Sequence, residues 1–243
     1  MCYVLIVGAK SDIAKELAKE YAKNGYNLYL AARKSEDLSY LASDIKIRYG
    51  VDVQTKELDI TDFESHTGFY ASLDPKPLGV IMVVGYMTDQ KECEKDWAKT
   101  LNTINVNYVG PVSLLNIVAN EMEQNKNGFI VGISSVAGDR GRKTNYIYGS
   151  SKAAFSAYLS GLRSRLYQSN VQVLTVKPGF VNTKMTQGLN LPKKLTAEPQ
   201  DVAVDIFKAQ QNKKDVIYTK AKWRLIMFVI KNIPEFIFKK LSI

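Results

Sequence analysis

The stretch Asn145–Phe155, NYIYGSSKAAF, sets Tyr148 four residues before Lys152. On a helix, side chains four apart share a face. Tyr146 is six residues from Lys152 and points elsewhere. A phenol titrates near pH ~10 in water, which makes it a poor proton shuttle at neutral pH. A cation a few ångströms away favours the phenolate. Tyr148 beside Lys152 can then give a proton to a carbonyl oxygen or take one from an alcohol. Ser135 ends the apolar run GFIVGISS, thirteen residues before Tyr148, and its hydroxyl can hold the oxygen that Tyr148 protonates. Asn107 lies in INVNYVG, on a helical segment that Pro111 interrupts.

These residues need a scaffold that brings them together. Short β-branched apolar runs alternate with longer helical patterns along the whole chain. The runs 3–9, 27–33, 51–59, 78–85, 128–135, 171–179 and 215–219 read as strands, with 51–59 more polar and so nearer an edge. Residues 12–25 place Ile13, Leu17 and Tyr21 at helical spacing before a glycine stop. The intervening helices are long enough for right-handed crossovers. The expected fold is α/β: a single-domain Rossmann fold, a doubly wound seven-stranded parallel sheet with helices on both faces. Residues 1–219 form the domain and 220–243 a tail. Such a sheet binds ligands beyond the carboxyl ends of its strands.

The first of those ends is Gly8, followed by Lys10, Ser11, Asp12 and Ile13 at a helix start. A glycine there lets the backbone approach a pyrophosphate, and the helix N-terminus offers free N–H groups. Asp12 and Ala14 stand where a dinucleotide fingerprint carries further glycines, and Asp12 suits a helix N-cap. The second strand ends AARK, and Arg33, with Lys34 or Lys10, matches a 2′-phosphate. This predicts NADPH rather than NADH. Asp59, followed by Ile60, can meet an adenine amine or cap a helix in competition with Asp62. Gly85 closes the fourth strand. Pro178 and Gly179 form a stiff turn after the sixth, leading to Val181 and Thr183, the latter able to meet a nicotinamide amide or the phosphates.

Ser135, YGSSK at its interval and KPGFVNT beyond it make the sequence resemble the short-chain dehydrogenase/reductase family over residues 3–219. The resemblance implies a catalytic set of Asn107, Ser135, Tyr148 and Lys152, with Tyr148 and Lys152 also at the cofactor. Lys152 would bond the nicotinamide ribose, and Asn107 would hold a water that relays protons. It also implies homodimers or homotetramers packed through the helices around 101–122 and 148–168. The sequence departs from the family at the glycine motif and at MVVG (82–85), where only Gly85 is kept. GAKSDIAKELAKEYAKNGYNLYLAARK, SSVAGDRGR and the tail are similar to the decaprenylphosphoryl 2-keto-pentose reductase branch. That branch implies reduction of a 2-keto sugar on a polyprenyl phosphate in cell-envelope synthesis.

Composition narrows the rest. The 243 residues are 46% hydrophobic and 23% charged, as in a globular protein. One histidine leaves no histidine triad or multi-histidine metal site, and no metal is expected. That residue, His66, lies in a polar stretch and reads as a surface residue. Two cysteines fit a reducing cytoplasm. The opening MCYVLIVGAK has no basic leader, and its apolar run is too short for a signal peptide or span. The net charge of +9 fits surface solubility, or the binding of phosphate groups or an anionic membrane. No aromatic-interleaved basic patch points to nucleic acid.

The tail sets Arg224, Lys231, Asn232, Glu235 and Lys239 on one narrow stripe and covers the rest with apolar side chains, split at Pro234. Two readings stay open: a helix in the inner membrane interface, or burial against the domain or a second subunit. Arg140, Arg142 and Lys143 can face a substrate phosphate or lie in a solvated loop. The function expected is reduction of a ketone by NADPH. The alternatives are a soluble ketone or 3-oxoacyl thioester as substrate, and a non-enzymatic NADPH-binding regulator.

Overall fold

The computed structural model describes residues 2–188 and 190–241. In chain order the elements begin with β1 (Tyr3–Val7), α1 (Asp12–Lys23), β2 (Asn27–Ala32), α2 (Ser39–Tyr49), β3 (Val53–Glu57) and α3 (Ser65–Ala71). There follow β4 (Gly79–Met82), α4 (Gln90–Lys95), α5 (Trp97–Ile104), α6 (Gly110–Asn125), β5 (Gly128–Ile133) and α7 (Tyr146–Leu166). The chain continues with β6 (Val171–Pro178), β7 (Phe180–Val181), β8 (Thr196–Ala197), α8 (Pro199–Gln211), β9 (Val216–Thr219), α9 (Lys222–Asn232) and α10 (Glu235–Phe238). Seven strands form one sheet in the order β3-β2-β1-β4-β5-β6-β9, every pair parallel. Strands β7 and β8 pair separately.

The apolar strands follow from burial on both faces. Along β1, Val4 and Ile6 enter one core layer, with Leu17 and Tyr21 of α1 and Val202 and Ile206 of α8. Leu5 and Val7 alternate into the other, with Leu114 and Val118 of α6 and Phe155 and Leu159 of α7. Strand β3 is at the sheet edge, as its polarity requires, and only Val53 of its five residues is buried.

The reading of His66 as a surface residue is overturned. Its ring is fully buried, and Nδ1 lies 2.9 Å from the Ser113 hydroxyl of α6. The polar neighbours in sequence face water while the inner side of the short α3 packs on α6. Burial lowers the imidazole pKa.

Pro111 also acts differently from expectation. It does not break the helix: α5 and α6 run together through a π-turn over Asn105–Val109. Pro111 has no N–H, so the Asn107 carbonyl lacks its ordinary i+4 donor. The turn widens instead, and the Gly110 N–H reaches the Asn105 carbonyl.

Candidate active site

Helix α7 carries Tyr148 and Lys152 to the carboxyl ends of β4 and β5. Both line a cavity of about 450 Å³ with Ser135, Pro178, Gly179, Val181 and Thr183. Lys152 is buried, and its ammonium donates to the carbonyls of Ile133 (3.1 Å) and Val84 (3.3 Å). Its Nζ stands 6.0 Å from the centre of the Tyr148 ring. Burial brings its pKa down to about 8. Ser135 caps the short turn Val136–Gly138, its Oγ accepting the Ala137 N–H at 3.1 Å. The same hydroxyl is the polar group that acts on the Tyr148 phenol. Ser134, next in sequence, is structural: its Oγ donates to the Lys152 carbonyl at 2.9 Å and pins α7 to the sheet.

The expectation of a phenol made acidic by Lys152 fails in this structure. Burial raises the Tyr148 pKa, and the Ser135 hydroxyl offsets this in part. The physical reason is orientation. Lys152 spends its protons on backbone carbonyls, and the phenol's polar neighbour is a neutral hydroxyl. A neutral phenol is the form that donates a proton.

Asn107 does not line the cavity. Its Nδ2 donates to the Tyr86 carbonyl (2.8 Å) and the Ser151 hydroxyl (3.1 Å), and its Oδ1 accepts the Tyr86 N–H (2.8 Å). It holds the chain beyond Gly85. A methyl group on Gly85 would lie 3.7 Å from Lys152 Nζ and 3.9 Å from Asn107 Oδ1.

A second cavity of about 440 Å³ is lined by Gly8, Lys10, Ser11, Arg33, Asp59, Ile60 and Gly85. It shares Lys10, Ser11, Val83, Val84 and Gly85 with the first, so the two form one trough along the strand ends. Gly8 sits at φ +85°, and a Cβ there would lie 2.9 Å from the Val84 amide nitrogen. Any side chain would therefore meet backbone at the crossing of β1 and β4. This glycine cradle, with the N-terminus of α1 beside it, fits the pyrophosphate of a dinucleotide.

Asp12 is not the cap of α1. Ser11 takes that place and accepts the Ala14 N–H at 3.2 Å. Asp12 Oδ2 instead accepts the Lys184 N–H at 2.9 Å, tying α1 to the segment after β7. Asp12 and Ile13 line the catalytic cavity. Lys10 is paired with Asp37, which leaves exposed Arg33 and Lys34 as the cations of the second cavity's outer end. Glu57 accepts the N–H groups of Lys34 (2.8 Å) and Ser35 (2.7 Å) and fixes that turn. Asp59 Oδ1 accepts from the Thr61 N–H (2.9 Å) and hydroxyl (2.7 Å). Burial works against its charge, but these bonds hold its pKa below the usual value. Asp62 caps no helix, since α3 starts after Glu64 without a side-chain cap. Thr183 and Thr186 form a reciprocal cap on the turn Lys184–Thr186.

Sequence reasoning missed Asn145, Met87 and Met185 in the catalytic cavity and Val83, Val84 and Val106 in the other. Asn145 carries the one available signal, a capping residue type just before α7. It makes no side-chain cap bond.

The tail lies over the catalytic end. Trp223, Met227, Ile230 and Phe238 are buried with Val136. The Trp223 indole donates to the Leu195 carbonyl at 3.1 Å and meets Phe180 edge to face at 5.2 Å. Pro234 divides the tail into α9 and α10. Arg140 turns toward this tail. Its guanidinium donates to the carbonyls of Ile230 (2.7 Å) and Ile233 (2.6 Å) and to the Glu235 carboxylate (2.8 Å), and stacks 3.7 Å from the Phe238 ring centre. It satisfies the carbonyl end of α9, where a cation is favoured. Arg140→Ala will lower stability by about 2 kcal/mol, measured as a fall in Tm of roughly 4–8 °C. An unchanged Tm would remove this role.

Among the described residues no helix is long and apolar enough to cross a membrane. Comparison with known proteins agrees with this architecture. The short chain dehydrogenase family model matches residues 3–194. An uncharacterized oxidoreductase of Mycobacterium tuberculosis is 34% identical over 241 residues, 98% of this chain and 96% of its own. One of Streptomyces coelicolor is 30% identical over 246 residues, covering 99% and 96%. A short-chain dehydrogenase from Sphingobium yanoikuyae, solved in complex with NADPH, superposes with a TM-score of 0.83 at 23% identity, covering 97% of each chain. The chain belongs to the short-chain dehydrogenase family of oxidoreductases.

Proposed function

We propose that the protein reduces a ketone to a secondary alcohol with NADPH. The observation that carries this reading is the convergence of Ser135, Tyr148 and Lys152 on a cavity continuous with the glycine cradle. Bound NADPH supplies a hydride to the carbonyl carbon. Gly8 and Ser11 would face the pyrophosphate, Arg33 with Lys34 the 2′-phosphate, and Asp59 the adenine end. Pro178, Gly179, Val181 and Thr183 would hold the nicotinamide, and Lys152 its ribose. Tyr148 protonates the carbonyl oxygen while the Ser135 hydroxyl holds that oxygen in place. Lys152, its Nζ 6.0 Å from the Tyr148 ring centre, would return a proton to the phenol through an intervening hydroxyl or water. The Asn107 side chain is occupied by Tyr86 and Ser151, so its part in a relay falls to its main-chain carbonyl.

The complex of the Sphingobium relative with NADPH supports the cofactor choice. Arg33→Asp tests it directly. The preference for NADPH over NADH will fall by about 10- to 100-fold, the worth of a charge-assisted phosphate contact. An unchanged ratio of kcat/KM values would exclude Arg33 as the phosphate reader. NADPH consumption across a panel of ketones tests the reaction itself. Saturable NADPH binding without turnover of any ketone would favour a regulator instead.

The finer reading is a lipid-linked substrate, a keto sugar on a polyprenyl phosphate. Its support is the outer face of α9 and α10. Leu225, Phe228, Val229 and Phe236 are 69%, 67%, 56% and 65% exposed, with Lys222, Arg224, Lys231 and Lys239 exposed around them. An apolar face rimmed by cations suits an anionic bilayer surface. Sedimentation with phosphatidylglycerol vesicles tests this. Binding will fall on changing Leu225, Phe228 and Phe236 to serine. Soluble behaviour in both proteins, with rapid turnover of small ketones, would favour the soluble substrate.

A further inference from the structure

The loop between Ser135 and Tyr148 sets Arg142 on the wall of the catalytic cavity, beside Asn145 and Tyr148. The charges around it are matched. Arg140 pairs with Glu235, and Lys177 pairs with Asp139, whose other oxygen accepts the Tyr218 hydroxyl at 2.7 Å. Among the described residues no carboxylate comes within ion-pair distance of Arg142. Its Nε is buried without a hydrogen-bond partner, and its Nη2 meets only the Met227 thioether, at 3.4 Å. A thioether is a weak acceptor. Asn145 Oδ1, in the same wall, is also buried without a partner.

A guanidinium keeps its charge at any working pH, and burial without an ion pair is costly; what compensates Arg142 is the field of Asp139, a carboxylate already shared by Lys177 and Tyr218. Here the cost falls at the one place where a substrate arrives. The cofactor's phosphates do not meet it, because Gly8 and Arg33 lie in the other cavity, which Arg142 does not line. The same cavity is lined by the apolar Met87, Val136, Phe180 and Met185 and by the exposed cation Lys184. Among the described residues, Arg142 is the cation lining this cavity whose side chain has a nitrogen buried without a partner.

We propose that Arg142 and Asn145 form a substrate subsite for an oxyanion, phosphate or carboxylate, carried by the ketone. Arg142 binds the anionic oxygens, and Asn145 Oδ1 accepts a hydrogen bond from a hydroxyl of the same molecule. This assignment rests on the reductase reading and names the class of its substrate.

The test uses the full chain saturated with NADP⁺, so that the cofactor's own phosphate contacts are filled. Hexyl phosphate, hexanoate and hexanol are titrated by calorimetry into the wild type, Arg142→Gln and Arg142→Lys. The wild type will bind at least one anion more tightly than hexanol, and the stronger of the two identifies the oxyanion. Arg142→Gln will weaken that anion by about 10- to 100-fold, with a smaller loss for Arg142→Lys and unchanged hexanol binding. Equal binding of all three ligands by the wild type would overturn the proposal without recourse to a variant. So would undiminished anion binding by a folded Arg142→Gln protein, its folding checked by NADP⁺ affinity. If the anions fail to bind while neutral ketones are turned over, the subsite alone falls. If no ketone is turned over, the reductase reading falls with it.

Discussion

Tyr148→Phe will bind NADPH as the wild type does and reduce ketones about 10²- to 10⁴-fold more slowly, the usual worth of a positioned general acid. The substitution removes one oxygen and keeps the ring. That oxygen lines the same cavity as Ser135, Gly179 and Thr183. Ser135 cannot take over, because its hydroxyl has no acidic neighbour to replace the proton it would lose. The loss should appear in kcat and kcat/KM together, as for an interaction made in the transition state. Turnover within threefold or so of the wild type would remove Tyr148 from the chemistry.

The second large effect is on Lys152. Burial brings its pKa down to about 8, while burial raises that of Tyr148. The signs run together for reduction. At neutral pH Tyr148 is protonated and ready to donate, and Lys152 is charged. As pH rises through about 8, Lys152 loses its proton first. The kcat/KM for reduction, which reports the free enzyme, will therefore be level at lower pH and decline above that value. Lys152→Met will remove the decline and lower the rate by about 10²-fold or more. The reverse reaction needs a phenolate, which burial disfavours, so alcohol oxidation will require alkaline solution. A rate that climbs steadily through this range would mean that the ammonium takes no part in reduction.

How much of this was legible before folding depends on how far apart the partners lie. The strand YVLIV was legible because burial on both faces demands an unbroken apolar run. The shared cavity of Tyr148 and Lys152 was legible because four residues make about one helical turn. The direction of the Lys152 ammonium was not, since it answers to Ile133 at the end of β5 and Val84 just beyond β4. His66 was misread because its local sequence is polar, whereas its burial comes from Ser113, 47 positions away. Arg140 and Arg142, two apart in one loop, have different fates. One meets carbonyls about ninety residues downstream, and the other meets a cavity. No local pattern separates them. Asp12 was read as the cap of α1, but Ser11 caps it and Asp12 bonds the distant Lys184 N–H, a partner 172 positions away.

Transfer of deuterium from NADPH labelled at the reactive carbon is the measurement closest to the central claim. With a panel of ketones, neutral and anionic, the wild type will yield an alcohol bearing deuterium on its carbinol carbon, and Tyr148→Phe will yield almost none in the same time. Unlabelled alcohols throughout the panel, or equal labelling by the two proteins, would contradict a phenol that protonates a carbonyl beside bound NADPH.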